Sequence, residues 1–486
     1  MHKGYHVYIN INNLEAILKK EEDKTDEVKK AFHQLDTYVA SIENYIKNRG
    51  DKGVVEKLTS SRLHLYFIAD ENDLKIQREV FKTVSYAYYI SKFISQKIGK
   101  YNNVLNYEIG IGVDYGDFTI FSFIEAKTKI KEITSIGSPA NRAAKIQSLV
   151  KGKNSNKIAI TNNVYDLLES DLQKLFNGNE IAYQKATLRY ADLTVYDCEL
   201  SKLEAFYNSE SYDTYERFAC ERANNLNIAE IDFLNTRKKL DYSELSLRNN
   251  RCVNGIMLFA DIRGFTKKFQ VDGSNLAEMN KATEIILQTL YDCVSNQNGI
   301  HVQFQGDRIS AFFHTFQGED SDYIVRAFRC ALSIIDKVCE LNQNKVIISA
   351  LRDQKLRIGI GCSCGDIFAT RLGMKNQKDN FAAGQTVREA DEAEDDVAGV
   401  RNGGSTSEIA VTEDCYKLLN ASSTRIAKII KTYFTKFGQY YVTSIGLEKI
   451  ENTLEKERQA HNYEEAKNAS VFPWKRNNNI KFENIR

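Results

Sequence analysis

Proline is nearly absent from this chain, with 2 prolines in 486 residues, so proline-rich linkers and polyproline recognition motifs are excluded. No window approaches the ~18 uninterrupted apolar residues that a membrane-spanning helix needs, and we expect no direct membrane insertion. Charge of one sign is also lacking, because 66 basic residues balance 65 acidic ones. The resulting net charge of +1 gives no general attraction to nucleic acid or to a membrane surface. A composition of 42% apolar and 27% charged residues is typical of a soluble globular protein.

The cysteines lack the pattern of a disulfide framework or of a zinc site. There are nine of them, an odd number, and no CxxC pair occurs. Cys362 and Cys364 alternate as on one face of a strand, where two thiols are poor disulfide partners. The first residues, MHKGYHVYININN, do not have the charged and apolar regions of a signal peptide. We therefore expect reduced thiols in a cytoplasmic protein.

Three segments of the first half recur in the second half in the same order, about 250 residues later, which is a domain-sized period. The pairs are Tyr107–Asp117 (YEIGIGVDYGD) with Leu356–Asp366 (LRIGIGCSCGD), Ile158–Leu168 (IAITNNVYDLL) with Ile409–Leu419 (IAVTEDCYKLL), and Tyr5–Asn13 (YHVYININN) with Ile256–Gly264 (IMLFADIRG). This self-similarity predicts a duplicated domain and not a solenoid.

Each half has the same predicted order of elements, in which a strand, a helix, a hairpin, a second helix and another strand follow one another. The first predicted strands are Val7–Ile11 and Ile256–Ile262, and the hairpins are Lys57–Ile68 and Val302–Phe313. The second helices are Glu79–Lys97 and Tyr323–Glu340, and the strands that follow them are Tyr107–Val113 and Leu356–Cys362. This is the βαββαβ order of an α+β, ferredoxin-like domain. The predicted boundaries are 1–202 for the first domain, 203–250 for a helical connector, 251–449 for the second domain and 450–486 for a polar tail.

The strongest local motif is Leu258–Thr266, LFADIRGFT. Its apolar strand ends at Asp261, and the following turn begins a helix whose N–H groups could meet a polyphosphate. Further along, Gln305-Gly306-Asp307-Arg308 is predicted to be a hairpin tip that presents Asp307. Two carboxylates at adjacent strand ends suit a pair of divalent metals. Taken singly, Asp261 could be a helix N-cap and Gly306-Asp307 a plain turn.

Together, LFADIRGFT and the later Gly-Asp between apolar strands resemble the class III adenylate/guanylate cyclase signature. The resemblance implies two such domains paired as an intramolecular pseudo-dimer, with Mn²⁺ or Mg²⁺ held by Asp261, Asp307 and Ile262. Phe265 is a further candidate for a substrate contact, and Lys185, near the closing strands of the first half, is a candidate γ-phosphate ligand.

In that family the partner domain supplies an asparagine and a basic residue from a G-x-x-x-N-x-A-A-R motif. The first half has this motif as Gly137-Ser-Pro-Ala-Asn141-Arg-Ala-Ala-Lys145. By resemblance, Asn141 would orient the ribose and Lys145 would stabilise charge on the α-phosphate. Lysine in place of arginine keeps the charge but loses the planar, forked donor group.

Aligning the two halves shows what each half carries at the key positions of the other, and this comparison predicts a single working site. Asp261 aligns with Asn10 and Asp307 with Ser61, so the first half lacks both metal carboxylates. Asn141 aligns with Arg388 and Lys145 with Glu392, in the acidic run EADEAEDD. Neutral side chains cannot hold two divalent ions, and an acidic helix would repel a polyphosphate unless it is simply a solvated face.

Two residues of the first half align with the family's base-reading positions, Lys57 and Thr134. Such a pair could read adenine, or it could donate to O2 or O4 of a pyrimidine. The Glu/Cys pair expected for guanine is absent. With its AAK ending and no accompanying regulatory module, the chain resembles the pyrimidine cyclases of Pycsar antiphage systems. Those enzymes make cUMP or cCMP, which a separate effector protein binds. A pyrimidine cyclase is therefore favoured over an adenylate cyclase.

Two readings from other classes stay open. The chain could be a catalytically dead nucleotide sensor, which the lysine at position 145 would favour and the two retained aspartates disfavour. It could also be an interaction protein on a ferredoxin-like scaffold. For the enzyme, a nucleoside triphosphate is the expected partner, and because a fused pair needs no second subunit, a monomer is plausible.

Overall fold

The structure is a computed structural model. It describes residues 2–14, 26–50, 53–101, 106–124, 131–178, 194–207, 211–236, 238–265, 276–317, 322–352, 354–374, 378–396 and 405–471.

The first half contains eight strands and six α-helices within the described residues. The strands are β1 (His2–Ile11), β2 (Gly53–Thr59), β3 (Arg62–Ile68), β4 (Ile109–Ile124), β5 (Lys131–Gly137), β6 (Lys157–Thr161), β7 (Asn177–Gly178) and β8 (Val195–Glu199). The helices are α1 (Asp26–Arg49), α2 (Leu74–Lys97), α3 (Ser138–Gln147), α4 (Asn162–Tyr165), α5 (Ser170–Gln173) and α6 (Leu200–Phe206).

The rest of the chain repeats this pattern after a short connecting region. That region contains α7 (Asp213–Asn224) and β9 (Leu234–Asn235). The later strands are β10 (Arg251–Ile262), β11 (Ile300–Gln305), β12 (Arg308–His314), β13 (Ile358–Leu372), β14 (Asp379–Ala383), β15 (Glu408–Thr412), β16 (Thr435–Phe437) and β17 (Tyr440–Thr443). The later helices are α8 (Leu276–Asn296), α9 (Tyr323–Leu341), α10 (Lys345–Ala350), α11 (Gln385–Asp396), α12 (Glu413–Ala421), α13 (Arg425–Thr432) and α14 (Leu447–Val471).

The two sheets have the same strand order. The first runs β2-β3-β1-β4-β6-β8-β7, with β5 paired to β4, and the second runs β11-β12-β10-β13-β15-β17-β16, with β14 paired to β13 and β9 to β10. The four strands β2-β3-β1-β4, with α1 and α2 as their crossovers, form the ferredoxin-like βαββαβ unit. The prediction of an α+β fold with two ferredoxin-like halves is therefore confirmed.

A repeated glycine explains why one helix lies close against each sheet. A Cβ on Gly112 of β4 would lie 2.1 Å from the Ala143 carbonyl oxygen of α3. A Cβ on Gly361 of β13 would lie 2.2 Å from the Ala390 carbonyl oxygen of α11. These glycines occupy the same place in the repeated strand, so both halves use a missing side chain to bring the helix into contact with the sheet.

The halves are interlocked by exchanged hairpins. The β4–β5 hairpin places Phe123 and Ile136 in the hydrophobic core of the second half. The β13–β14 hairpin places Phe368, Leu372 and Phe381 in the core of the first half. Burying each large apolar side chain is worth about 1.5–3 kcal/mol, so the exchange binds the two halves into an intramolecular pseudo-dimer. The sequence predicts this strand only over Tyr107–Val113, whereas β4 continues to Ile124 and pairs with β5.

The region between the halves packs on the first core and is only partly helical. Ala219 and Ala223 of α7 and Phe233 beyond it belong to that core. The nine cysteines are unpaired, as predicted. Within the described residues, no helix is long and apolar enough to cross a membrane. The domain boundaries given above stay a prediction.

Candidate active site

Strand β10 and the β11–β12 hairpin present the two predicted metal carboxylates side by side. Asp261 lies near the end of β10 and pairs in register with Arg308, the residue after Asp307. Gly306 at the hairpin tip has φ 67°, which glycine adopts without strain. The side chain of Asp307 is largely buried, and that of Asp261 is 27% exposed.

The electrostatic environment of this carboxylate pair is unfavourable without a cation. Burial raises the pKa of Asp307 well above its usual value, and the neighbouring Asp261 raises it further. Burial likewise raises the pKa of Asp261, although Arg263, 3.3 Å away, opposes the shift. Arg263 is shared with Glu394 of α11, whose pKa burial raises well above normal. Ionisation of these neighbouring carboxylates is thus disfavoured at this buried site.

This donor set fits a divalent ion that also coordinates substrate. Within the described ranges, no cluster of three or more His, Cys, Asp or Glu side chains is placed to hold a metal. Mg²⁺ is commonly held by only one or two carboxylates together with substrate phosphates and water. The side chain of Ile262 is buried, so its predicted metal contact would be through the backbone carbonyl.

The first half reaches this hairpin through Lys57 and Glu132. The Lys57 ammonium donates to the carbonyl oxygen of Phe304 in β11 and to Glu132 at 3.1 Å. Glu132 in turn accepts the backbone N–H of Phe304. One peptide of the second half is therefore held on both its donor and its acceptor side by the first half, and Lys57 is almost completely buried there.

Thr134 makes a second bridge, closer to the two predicted metal carboxylates. Its hydroxyl accepts the backbone N–H of Gly306 at 3.0 Å, one residue before Asp307. The same hydroxyl lies 3.4 Å from Glu56, a buried carboxylate of β2. The structure therefore brings both predicted base-reading residues to the hairpin that carries Asp307.

Asn141 and Lys145 lie on α3, which begins immediately after β5. They are four residues apart and so share one face of the helix. Asn141 is half-buried and Lys145 is exposed. The helix begins four residues after Thr134, whose hydroxyl contacts Gly306 of the second half.

The reciprocal positions are chemically different. Ser61 donates to the Asn10 side-chain oxygen at 2.7 Å, and Asn10 donates to Asn12 at 2.7 Å. These side chains satisfy one another and carry no charge. On α11, Arg388 pairs with Glu392 at 3.0 Å within the helix. A cavity of about 780 Å³, counting its opening to solvent, lies between the halves here and is lined by Asn10, Ser61 and Arg388, among others.

Two further residues, Phe265 and Lys185, were predicted from the sequence to contact substrate. The Phe265 side chain is buried in the second core, so any substrate contact would be through its main chain. Lys185 lies outside the described residues. Sequence reasoning missed Glu56 and Glu132. Glu56 is adjacent to Lys57 in sequence, so regular strand alternation would place the two side chains on opposite faces. The bulge between Val55 and Lys57 brings them to the same face, and the sequence does not reveal that bulge.

Comparisons with known proteins agree with this arrangement. Residues 248–451, which include both aspartates, match the family described as the adenylate and guanylate cyclase catalytic domain. A Pseudomonas aeruginosa protein described as uridylate cyclase is 24% identical over 419 residues, which is 82% of this chain and 75% of that protein. A solved class III adenylyl cyclase-like ATP-binding protein from Pseudomonas aeruginosa has a TM-score of 0.68 at 20% identity, over 93% of this chain and 90% of that one. That match extends the shared fold across both halves.

Proposed function

We propose that this chain, a member of the class III adenylate/guanylate cyclase family, converts a pyrimidine nucleoside triphosphate into a 3′,5′-cyclic nucleotide and pyrophosphate, with UTP preferred to CTP. The observation that carries the proposal is the pair of bridges between the halves. Lys57 and Thr134 of the first half bond the same hairpin that presents Asp307 of the second half. The similarity to a uridylate cyclase supports a pyrimidine substrate.

The chain's own residues have distinct roles in this mechanism. Asp261, Asp307 and the Ile262 carbonyl would hold divalent ions, either Mn²⁺ or Mg²⁺. When bound, such ions activate the attacking 3′-hydroxyl and neutralise charge on the polyphosphate. Lys57 and Thr134 bind the base and set the nucleotide's position. Asn141 orients the ribose, and Lys145 stabilises negative charge that develops on the α-phosphate as pyrophosphate leaves.

The second candidate is an adenylate cyclase, because one lysine donor and one hydroxyl acceptor also match N1 and the N6 amine of adenine. The cellular role proposed here is the production of cUMP, or of cCMP to a lesser extent, in the cytoplasm during antiphage signalling. A separate effector protein would bind the product.

One experiment tests these candidates together. Purified protein is incubated with Mn²⁺ and each radiolabelled nucleoside triphosphate in turn, and the products are separated. We expect cUMP as the main product, whereas cAMP as the main product would replace the proposal with the second candidate. Nucleotide binding without any cyclic product would contradict the enzyme and support a catalytically dead sensor.

A further inference from the structure

Strand β2 bulges beside the predicted base-reading lysine. Val55 pairs with Leu65 and Lys57 pairs with His64, so Glu56 is the extra residue in the ladder. A bulge interrupts the alternation of side chains along a strand. As a result both Glu56 and Lys57 face β5, and the Lys57 ammonium lies 4.0 Å from the Glu56 carboxylate.

Glu56 is a buried carboxylate that only accepts hydrogen bonds. It accepts the backbone N–H of Ser135 at 3.0 Å and the Ser135 hydroxyl, and it lies 3.3 Å from His64. Burial alone would raise the pKa of Glu56, but His64, Lys57 and Ser135 overcome this and lower it to about 2. An ionised carboxylate has no proton to give, so every hydroxyl that bonds to it must be the donor.

This fixes the polarity of Thr134. Its hydroxyl hydrogen points to Glu56, 3.4 Å away, and its oxygen accepts the N–H of Gly306. A threonine hydroxyl has one hydrogen and two lone pairs. With its hydrogen committed, Thr134 can offer a bound base only an acceptor. Lys57 beside it offers only donors, because an ammonium has three N–H groups and no lone pair.

We propose that Glu56 is a positioning residue that holds Thr134 as an acceptor and thereby makes the site select UTP over CTP; this rests on the proposed function. Uracil has an N3–H donor flanked by carbonyl oxygens, so Thr134 can accept from N3–H while Lys57 donates to the neighbouring carbonyl. With the ribose and phosphates held in the same place, cytosine directs the lone pair of its unprotonated N3 at the oxygen of Thr134. A site built for a hydrogen bond disfavours the ligand that leaves its polar group unpaired.

The variant Glu56→Gln tests this with almost no change in shape. The glutamine amide can donate to Thr134, which frees the hydroxyl to turn and donate to cytosine N3. The ratio of kcat/KM for UTP to that for CTP should fall about tenfold, the scale of one hydrogen bond. In a Thr134→Val background the same substitution should leave the ratio unchanged within about twofold, because the group it positions is gone.

The matched control is Glu43→Gln. Glu43 is a buried carboxylate of α1 that accepts the Met374 N–H at 2.6 Å, between the halves but away from Thr134. This variant should keep the wild-type ratio. An unchanged ratio in Glu56→Gln, or an equal fall in Glu43→Gln, would overturn the inference.

A substrate analogue tests the same idea on the wild-type protein. Replacing UTP by 3-methyl-UTP removes the N3–H, and kcat/KM should fall at least about tenfold. Equal use of both substrates, or a wild-type preference for CTP over UTP, overturns the role of Glu56 while leaving a pyrimidine cyclase. Failure of wild-type protein to cyclise any pyrimidine triphosphate instead overturns the proposed function.

Discussion

The two halves have equivalent hairpins in the same position of the sheet, but the polar side chains at these hairpins differ in charge and in hydrogen bonding. In the first half, Ser61 and Asn10 are joined by a 2.7 Å hydrogen bond and need no further partner. In the second half, Asp307 and Asp261 occupy the same positions, and burial together with the neighbouring Asp261 raises the pKa of Asp307. The first hairpin is complete on its own, and under the proposed function the second would be completed by a cation.

The equivalent helices α3 and α11 also differ, but here the first half carries the residues predicted to act on substrate. Helix α3 of the first half offers Asn141 and Lys145 on one face, whereas α11 of the second half places an internal Arg388–Glu392 pair at those positions. Further along α11, Glu394 is buried against Arg263 and Arg308. Under the proposed function each half therefore carries the residues that the other lacks, and a single complete site would require the contact between them.

The largest expected effect separates the two hairpins. Asp307→Ala should lower kcat by about 1,000-fold or more, because a metal carboxylate contributes to the transition state and not to the fold. Ser61→Ala, the matched change in the first half, should leave kcat within about twofold of wild type. Steady-state kinetics with Mn²⁺ measure both. Comparable losses in the two variants would show that the hairpins are not functionally different.

A second pair of variants separates the two helices. Asn141→Ala should lower kcat by about 100-fold, the scale of losing one transition-state hydrogen-bond donor. Arg388→Ala should change kcat by less than about twofold, because it faces the reciprocal cavity. The same assay reports both, and thermal unfolding should show both variants folded. A large loss in Arg388→Ala would mean that the second site also turns over substrate.

Substitution of the repeated strand glycines tests whether the helix packs on the sheet in the same way in both halves. Gly112→Ala and Gly361→Ala each place a Cβ about 2 Å from a helix carbonyl, so each should cost about 1–3 kcal/mol of unfolding free energy. Urea denaturation followed by circular dichroism measures the cost. Destabilisation by only one of the two would show that the helices do not pack alike.

The smallest effect tests the charge of the second hairpin without metal. The folded-state pKa of Asp307 is raised, so its ionisation costs stability as pH rises through that value. Asp307→Asn should therefore stabilise the metal-free protein at pH 7 by on the order of 1 kcal/mol, and the gain should vanish toward pH 4. Asp117→Asn on the exposed part of β4 should have no such effect. A destabilised Asp307→Asn would contradict the assigned repulsion.

The repeated strands and hairpins could be predicted because their residues carry the signal locally. Alternating apolar residues and the turn at Gly306 are enough to define β10 and the β11–β12 hairpin. The paired aspartates and the Asn141 motif could be predicted because their spacing is specific to one family.

Contacts that depend on partners distant in sequence could not be predicted. The β4–β5 hairpin is apolar because Phe123 packs on Tyr291 and Phe304 of the other half, and nothing near Phe123 in sequence shows this. Glu56 acquires its role from a bulge and from His64, Thr134 and Ser135, which meet only in the folded sheet.

The most direct test of the single-site claim is an anomalous difference map from crystals grown with Mn²⁺ and a non-cyclisable UTP analogue. We expect manganese peaks beside Asp261 and Asp307, with the base against Lys57 and Thr134 and the ribose against Asn141. Manganese beside Asn10 and Ser61, or a nucleotide remote from Asn141, would contradict it.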